Sequence, residues 1–367
     1  MRKSRDRSVA CFISPHGLGH ASRAAAVLAA LQRLQPDINL HLFTTAPKRF
    51  FTDSGCQKII VHEERTDIGF AQHSALVADL PATVEQLDAF LPFDPSRIEI
   101  LSDTVRRSRC DLVLCDISPL GIAVARQAGV PSVLAESFMW DDFYQSYISA
   151  YPRLGIHADT LCRLFSQASL HIQTQPVCKA IEADLTVGPV SRPPRQSPSA
   201  IRKKLAIGAN VRIVLITMGG VSEHTPLLAS LAHRKDIVFI VAWGSPNIQR
   251  SGNVIGLPLQ SDFYHPDLVH AANAVIGKVG YSTQAEIYHA GVPFGYMVRE
   301  GYPEMPSLVN FIEKEMAGLP IPASAIESGF TEAMIDQLLT IPRRPPTLPN
   351  GANQIANFLL PLLRRTP

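Results

Sequence analysis

The chain has 367 residues, 46% hydrophobic and 18% charged, with a net charge of +2. This is a globular composition with core enough for two domains of ordinary size, and it carries no basic footprint for nucleic acid. No apolar run approaches the roughly 20 residues of a membrane span, which leaves at most peripheral membrane contact; the cysteines at 11, 56, 110, 115, 162 and 178 show neither metal spacing nor a disulfide framework, so a cytoplasmic protein is expected. Basic residues gather at 2–7, but the apolar run behind them stops at Pro15, too short for a signal-peptide core.

Residues 9–14 read as a buried strand that ends in Ser14-Pro15-His16-Gly17-Leu18-Gly19-His20. Ala24, Val27, Leu28 and Leu31 recur at helical spacing, which predicts a helix over 21–34 stopped by Pro36. Strands follow at 40–44 and 59–61, then a long loop with short helical pieces over 62–82 and a helix over 85–105 interrupted near Pro92 and Pro95. A fully apolar strand at 111–115 ends at Asp116, a helix covers 121–128, and a strand covers 132–135. The aromatic-rich segment 137–168 reads as helical, with 170–173 as the last strand of this half. Strands alternating with helices mark an open, mostly parallel α/β sheet. Four prolines between 187 and 199 read as a linker. The second half restarts with strands at 212–217 and 238–242, a short helix near 266–272, a strand at 274–276 and another at 294–298. Helices are predicted at 307–318, 331–340 and, after a proline-rich connector, 352–363.

One stretch of the second half has a chemistry of its own, AVIGKVGYSTQAEIYHAGVP from Ala274 to Pro293. A buried strand gives way to Gly277, Lys278 and Gly280, and Ser282 or Thr283 is placed to cap a helix closed by Gly291. Free N–H groups, the positive end of the helix and the Lys278 charge converge on one spot, which makes an anion site. Glu286, one turn further in, reaches past a phosphate to something that donates hydrogen bonds, such as a ribose diol. The alternative is one more βα unit with an ordinary glycine turn.

The order G-x-x-T-x-x-E followed by A-G-V-P, filled here by Gly280, Thr283, Glu286 and 290–293, resembles the nucleotide-sugar motif of GT-B glycosyltransferases, as in MurG-like and UDP-glycosyltransferases. The phrase GKVGYSTQAE is also similar to the glycosyltransferase-like N-terminal half of plant arabinokinases. The resemblance implies two Rossmann-like α/β domains facing each other across a cleft: residues 1–188 for the acceptor, 189–351 for the nucleotide sugar, and a C-terminal helix in 352–367 packing back on the first domain. It implies a hexosyl- or N-acetylhexosaminyl-transferase that takes a UDP-linked sugar as substrate. It needs no cofactor and no metal, because Lys278 and the helix end neutralise the diphosphate. The acceptor, whether small molecule, lipid-linked or glycan, is not named.

Residue by residue, the glycine-rich turn of Gly17, Gly19 and His20 matches the acceptor side of such enzymes. There His20 would be the general base, since imidazole titrates near neutral pH. Asp116 at the end of a neighbouring strand is the candidate to orient the ring. A capping or loop-stabilising histidine, or a phosphate ligand, are the alternatives. Arg23 stands where many relatives have proline, and is expected to meet an acidic acceptor or a phosphate, or to form a surface salt bridge. Gly219 and Gly220 after a strand offer N–H groups to the diphosphate, with a plain tight turn as the alternative. Lys278 takes the place of a phosphate-binding histidine. Glu304 replaces the acidic member of an Asp-Gln pair that holds donor-sugar hydroxyls, and no glutamine follows it. Two rival readings remain: an epimerase or hydrolase of nucleotide sugars, and a non-catalytic sensor or partner subunit that binds them.

Overall fold

The computed structural model describes residues 7–72, 78–218, 226–242, 247–258, 261–299 and 301–364. They divide into two compact units, one of residues 1–192 with 349–367 and the other of 193–348.

The first unit is built on a seven-stranded parallel sheet in the order Ile59–His62, Asn39–Phe43, Ser8–Ile13, Cys110–Asp116, Ser132–Glu136, Leu170–Thr174, Leu185–Val187. The central strands are apolar on both faces because helices cover both; every residue of Ser8–Ile13 is buried. Strand order reverses between Ser8–Ile13 and Cys110–Asp116. The carboxyl ends of these two strands therefore flank a crevice, where ligands of open α/β sheets bind.

The first helix, Leu18–Leu34, is rich in alanine and buried along most of its length. Small side chains are needed because Gly351–Leu359 packs against it as well as the sheet. Gly351 lies so close to the chain at 188 that a β-carbon would come within 2.2 Å of the Gly188 carbonyl oxygen. Asn350 caps this last helix, accepting from the Ala352 N–H and donating to the Ser191 carbonyl. The proline-rich stretch expected as a linker is thus only partly one: Val190, Ser191 and Arg192 are buried under the last helix. Its far end forms a short helix, Pro198–Lys204, capped by Ser197.

Three further boundaries differ from expectation. The first helix starts at Leu18, three residues before the predicted start. The helix Leu80–Phe90, with Asp79 as its side-chain cap, starts within the segment 62–82 read as loop, five residues before the predicted helix start. A seventh strand, Leu185–Val187, extends the sheet past Leu170–Thr174.

The second unit repeats the plan in the order Gln249–Ser251, Val254–Leu257, Ile237–Ala242, Arg212–Thr217, Ala274–Lys278, Phe294–Met297, Gly318–Pro320, parallel except for Gln249–Ser251. Its order reverses between Arg212–Thr217 and Ala274–Lys278. The stretch singled out in the sequence therefore sits at the switch point of its own sheet.

Candidate functional site

In the first unit, Gly17 caps the first helix with φ 76°, a left-handed conformation that glycine adopts without strain. The early helix start puts Gly19 and His20 in the first turn, not in the loop before it. His20 is buried, its ring edge-on to Phe138 at 6.0 Å between centroids. Its Nδ1 lies 2.7 Å from Asp116 Oδ1, at the end of the central strand. An ionised carboxylate only accepts, so Nδ1 carries the proton and donates. Nε2 has no hydrogen-bond partner among the described residues.

Arg23 is the main correction. It is only 6% exposed and makes no surface salt bridge. Its Nε donates to Asp116 Oδ2 at 2.8 Å and its Nη2 to Asp116 Oδ1 at 2.7 Å, a bidentate fork. Its Nη1 donates to Ser137 Oγ at 3.0 Å and Thr174 Oγ1 at 3.4 Å. A guanidinium so occupied is not available to an acidic acceptor or a phosphate. Burial alone would raise the Asp116 pKa, but the Arg23 charge, with hydrogen bonds from Arg23 and His20, holds the carboxyl below its usual range.

A second buried carboxylate was missed in the sequence. Asp67 accepts from Ser14 Oγ at 2.8 Å and from Trp140 Nε1 at 2.9 Å. Burial pushes it up to about 6, against the opposing effects of the His20 charge and of these two donors. A lone aspartate next to the apolar Ile68-Gly69-Phe70 was the available signal. Tyr144 donates to the Gly69 carbonyl, and His16 packs so tightly over Gly69 that a β-carbon there would meet its ring at 2.6 Å. His16, read as a loop residue, also lies edge-on to Trp140.

In the second unit, Gly277 is required by close approach, since a β-carbon would sit 2.5 Å from the Thr217 carbonyl oxygen on the neighbouring strand. The strand runs on through Lys278, and the helix is Tyr281–Ala290, starting two residues before the predicted Thr283. Its N-cap is Gly280, with no side-chain cap, so Ser282 and Thr283 lie within the first turn and do not cap it. Lys278 is half-buried, and its ammonium has no ion-pair or hydrogen-bond partner among the described residues. Burial and, after it, the nearby Arg299 charge lower its pKa.

Glu286 is buried on this helix, beside a histidine. Its Oε2 lies 2.7 Å from His265 Nδ1, and His265 Nε2 lies 3.3 Å from Thr217 Oγ1. His265 opens the helix His265–Ala271 and was missed, because nothing in its local sequence marks it. Glu304 is the N-cap residue of Met305–Glu315. Its Oε1 accepts from Arg299 Nη2 at 2.6 Å, while its buried Oε2 has no partner among the described residues. Burial raises its pKa, with Arg299 acting in the other direction. Arg299 also stacks over the Tyr302 ring at 4.2 Å. Gly219 and Gly220 lie outside the described residues. Among the described residues there is no cluster of three or more His, Cys, Asp or Glu side chains placed for a metal.

No family model matches the chain. Among curated proteins it is 28% identical over 322 residues to L-arabinokinase of Arabidopsis thaliana, a match covering 84% of this chain and 30% of that protein. The chain thus spans about a third of the curated relative it matches. Among solved structures it resembles the glycosyltransferase SnogD from Streptomyces nogalater, at 17% identity with a TM-score of 0.57, covering 98% of this chain and 96% of that one. It also resembles the glycosyltransferase VinC, solved in complex with dTDP, at 13% identity with a TM-score of 0.58 and the same coverage. The fold is GT-B. Two Rossmann-like α/β units in one chain, each with its switch point, are what that fold comprises. Among the described residues no helix is long and apolar enough to cross a membrane.

Proposed function

We propose that the protein is a glycosyltransferase that moves a sugar from a nucleotide-sugar donor, UDP-linked, to an acceptor hydroxyl. The observation that carries this reading is the entry to Tyr281–Ala290: a helix N-terminus whose N-cap is Gly280, beside a half-buried lysine that lacks an anionic partner among the described residues. Keeping a lysine charged there costs desolvation, and a diphosphate would offset it. Glu286, held by His265, is in this reading the acceptor for a ribose diol. In this reading the buried Oε2 of Glu304, without a partner among the described residues, accepts from a donor-sugar hydroxyl. Seen in a glycosyltransferase of the same fold, bound dTDP supports the ligand class.

In the reaction, the acceptor oxygen bonds to the anomeric carbon and the anomeric C–O bond to the diphosphate breaks. The electron pair goes to the diphosphate, and the acceptor proton goes to His20 Nε2. Asp116 holds the opposite ring nitrogen and stabilises the imidazolium that forms. A second reading, binding without turnover, is favoured by one observation: the curated relative is named as a kinase, not as a glycosyltransferase.

The test is release of UDP from a panel of UDP-sugars, with and without candidate acceptor hydroxyls. The transferase reading predicts acceptor-dependent release that is lost in His20→Ala. UDP-sugar binding with no release under any condition supports the binding reading, and no binding of any nucleotide sugar overturns both.

A further inference from the structure

We infer that Arg23 is a positioning residue for His20, acting through Asp116 to set how tightly the imidazole holds its proton. The use of that proton rests on the transferase reading; the geometry does not. Arg23 lies three residues beyond His20 on the same helix, which puts both side chains on one face. Both address one carboxylate, and both meet the same oxygen: His20 Nδ1 and Arg23 Nη2 are each 2.7 Å from Asp116 Oδ1. The remaining edge of the guanidinium is fixed from two other strand ends. Ser137 and Thr174 accept from Nη1, and Thr174 in turn donates to the Glu136 carbonyl at 3.1 Å. None of this arrangement is on the surface.

The electrostatic consequence follows from the charges. A carboxylate alone beside an imidazole favours the imidazolium. Here the carboxylate already faces a guanidinium, so the pair is close to neutral. Protonating His20 would also place a second cation beside Arg23, whose Nη2 is 3.4 Å from Nδ1. Asp116 thus keeps its orienting hydrogen bond while losing much of its pull on the proton. Nε2, without a hydrogen-bond partner among the described residues, is the ring atom left to accept. Among the described residues, charged or titratable groups face the ring from three elements. Asp116 comes from the strand, Arg23 from its own helix and Asp67 from the segment before Phe70, while Phe138 adds an uncharged wall.

The experiment is a pH titration of the full-length protein followed by NMR of the histidine ring carbons, with the His20 signal assigned by its loss in His20→Gln. Arg23→Gln keeps a donor and removes the charge, and its His20 midpoint should move to higher pH by about one unit or more. Arg23→Lys keeps the charge, and its midpoint should stay near that of the unmodified protein. A folded Arg23→Gln whose midpoint does not move overturns the inference. If that variant fails to fold, the unmodified protein decides through the Asp116 carboxyl carbon. That carbon should show no protonation between pH 8 and about 4; a midpoint inside that window overturns the inference. Neither measurement uses turnover. A protein that shows these shifts and transfers no sugar sinks the transferase reading and leaves the role of Arg23 standing. Where turnover is present, the acid limb of kcat/KM in Arg23→Gln should move with the NMR midpoint.

Discussion

His20 and Asp67 are buried titratable groups on the same crevice, and they make different predictions. If His20 Nε2 takes the acceptor proton, His20→Ala should lower kcat by about 10²–10⁴ and leave nucleotide binding nearly unchanged, as read by steady-state kinetics beside a UDP titration. Loss of binding in step with loss of rate would instead assign His20 to the donor phosphate. Asp67 acts on stability. Its pKa rises from 3.8 to about 6 on folding, so the folded state binds its proton more tightly than the unfolded chain does. Its contribution is then largest below about 4 and is lost as pH rises through about 6. Asp67→Asn removes this dependence and adds only a pH-independent offset from the altered hydrogen bonds to Ser14 and Trp140. The stability of the unmodified protein relative to Asp67→Asn should therefore grow on the order of 2 kcal/mol as pH falls from 7 to 4, measured by urea unfolding. A flat difference, or one of opposite sign, would rule this out. The nearness of His20 and Asp116 was legible, since a glycine turn and a strand end marked the same sheet edge. Arg23 was read toward an acidic acceptor, a phosphate or a surface salt bridge; only the three-dimensional position of Asp116, Ser137 and Thr174 shows it buried among them. Asp67 and His265 were missed for the same reason, as each gains its partners across long sequence separations.

At the scale of elements, strands and helices were legible where periodicity was strong, and their ends were not. The helix Tyr281–Ala290 starts at Tyr281, with Gly280 in the cap position. Sequence preference favoured Ser282 or Thr283, the residues that most often cap a helix. Leu185–Val187 has three residues, too few to show alternation. The contact between the last helix and the chain at 188 is the part most easily tested. Gly351→Ala puts a methyl group 2.2 Å from a backbone oxygen that cannot rotate away. It should destabilise the protein by about 1–3 kcal/mol, seen as a lower midpoint in chemical denaturation. No change in the midpoint would mean that the helix docks more loosely than described.

At the scale of the whole molecule, two α/β units arise from one chain by the same logic twice. The central strands of each sheet are buried, each sheet has a switch point where strand order reverses, and each carries chemistry-bearing residues there: His20 and Asp116 in one, Lys278, Thr217 and Glu286 in the other. The two-unit α/β plan was legible because buried parallel strands are continuous apolar runs and helices separate them. The first unit is completed by residues 349–367 although 193–348 intervene, a return of the chain that composition and periodicity do not carry and that only the resemblance implied. The central claim is that the second unit holds a nucleoside diphosphate at Lys278 and the Tyr281–Ala290 helix end. The most direct measurement is calorimetric titration of the full chain with UDP and with uridine, repeated for Lys278→Ala. The account predicts that the variant binds UDP about tenfold or more weakly, as expected for a lost charge-assisted contact, while its affinity for uridine is unchanged. Equal affinity of both proteins for UDP, or no binding of UDP at all, would contradict it.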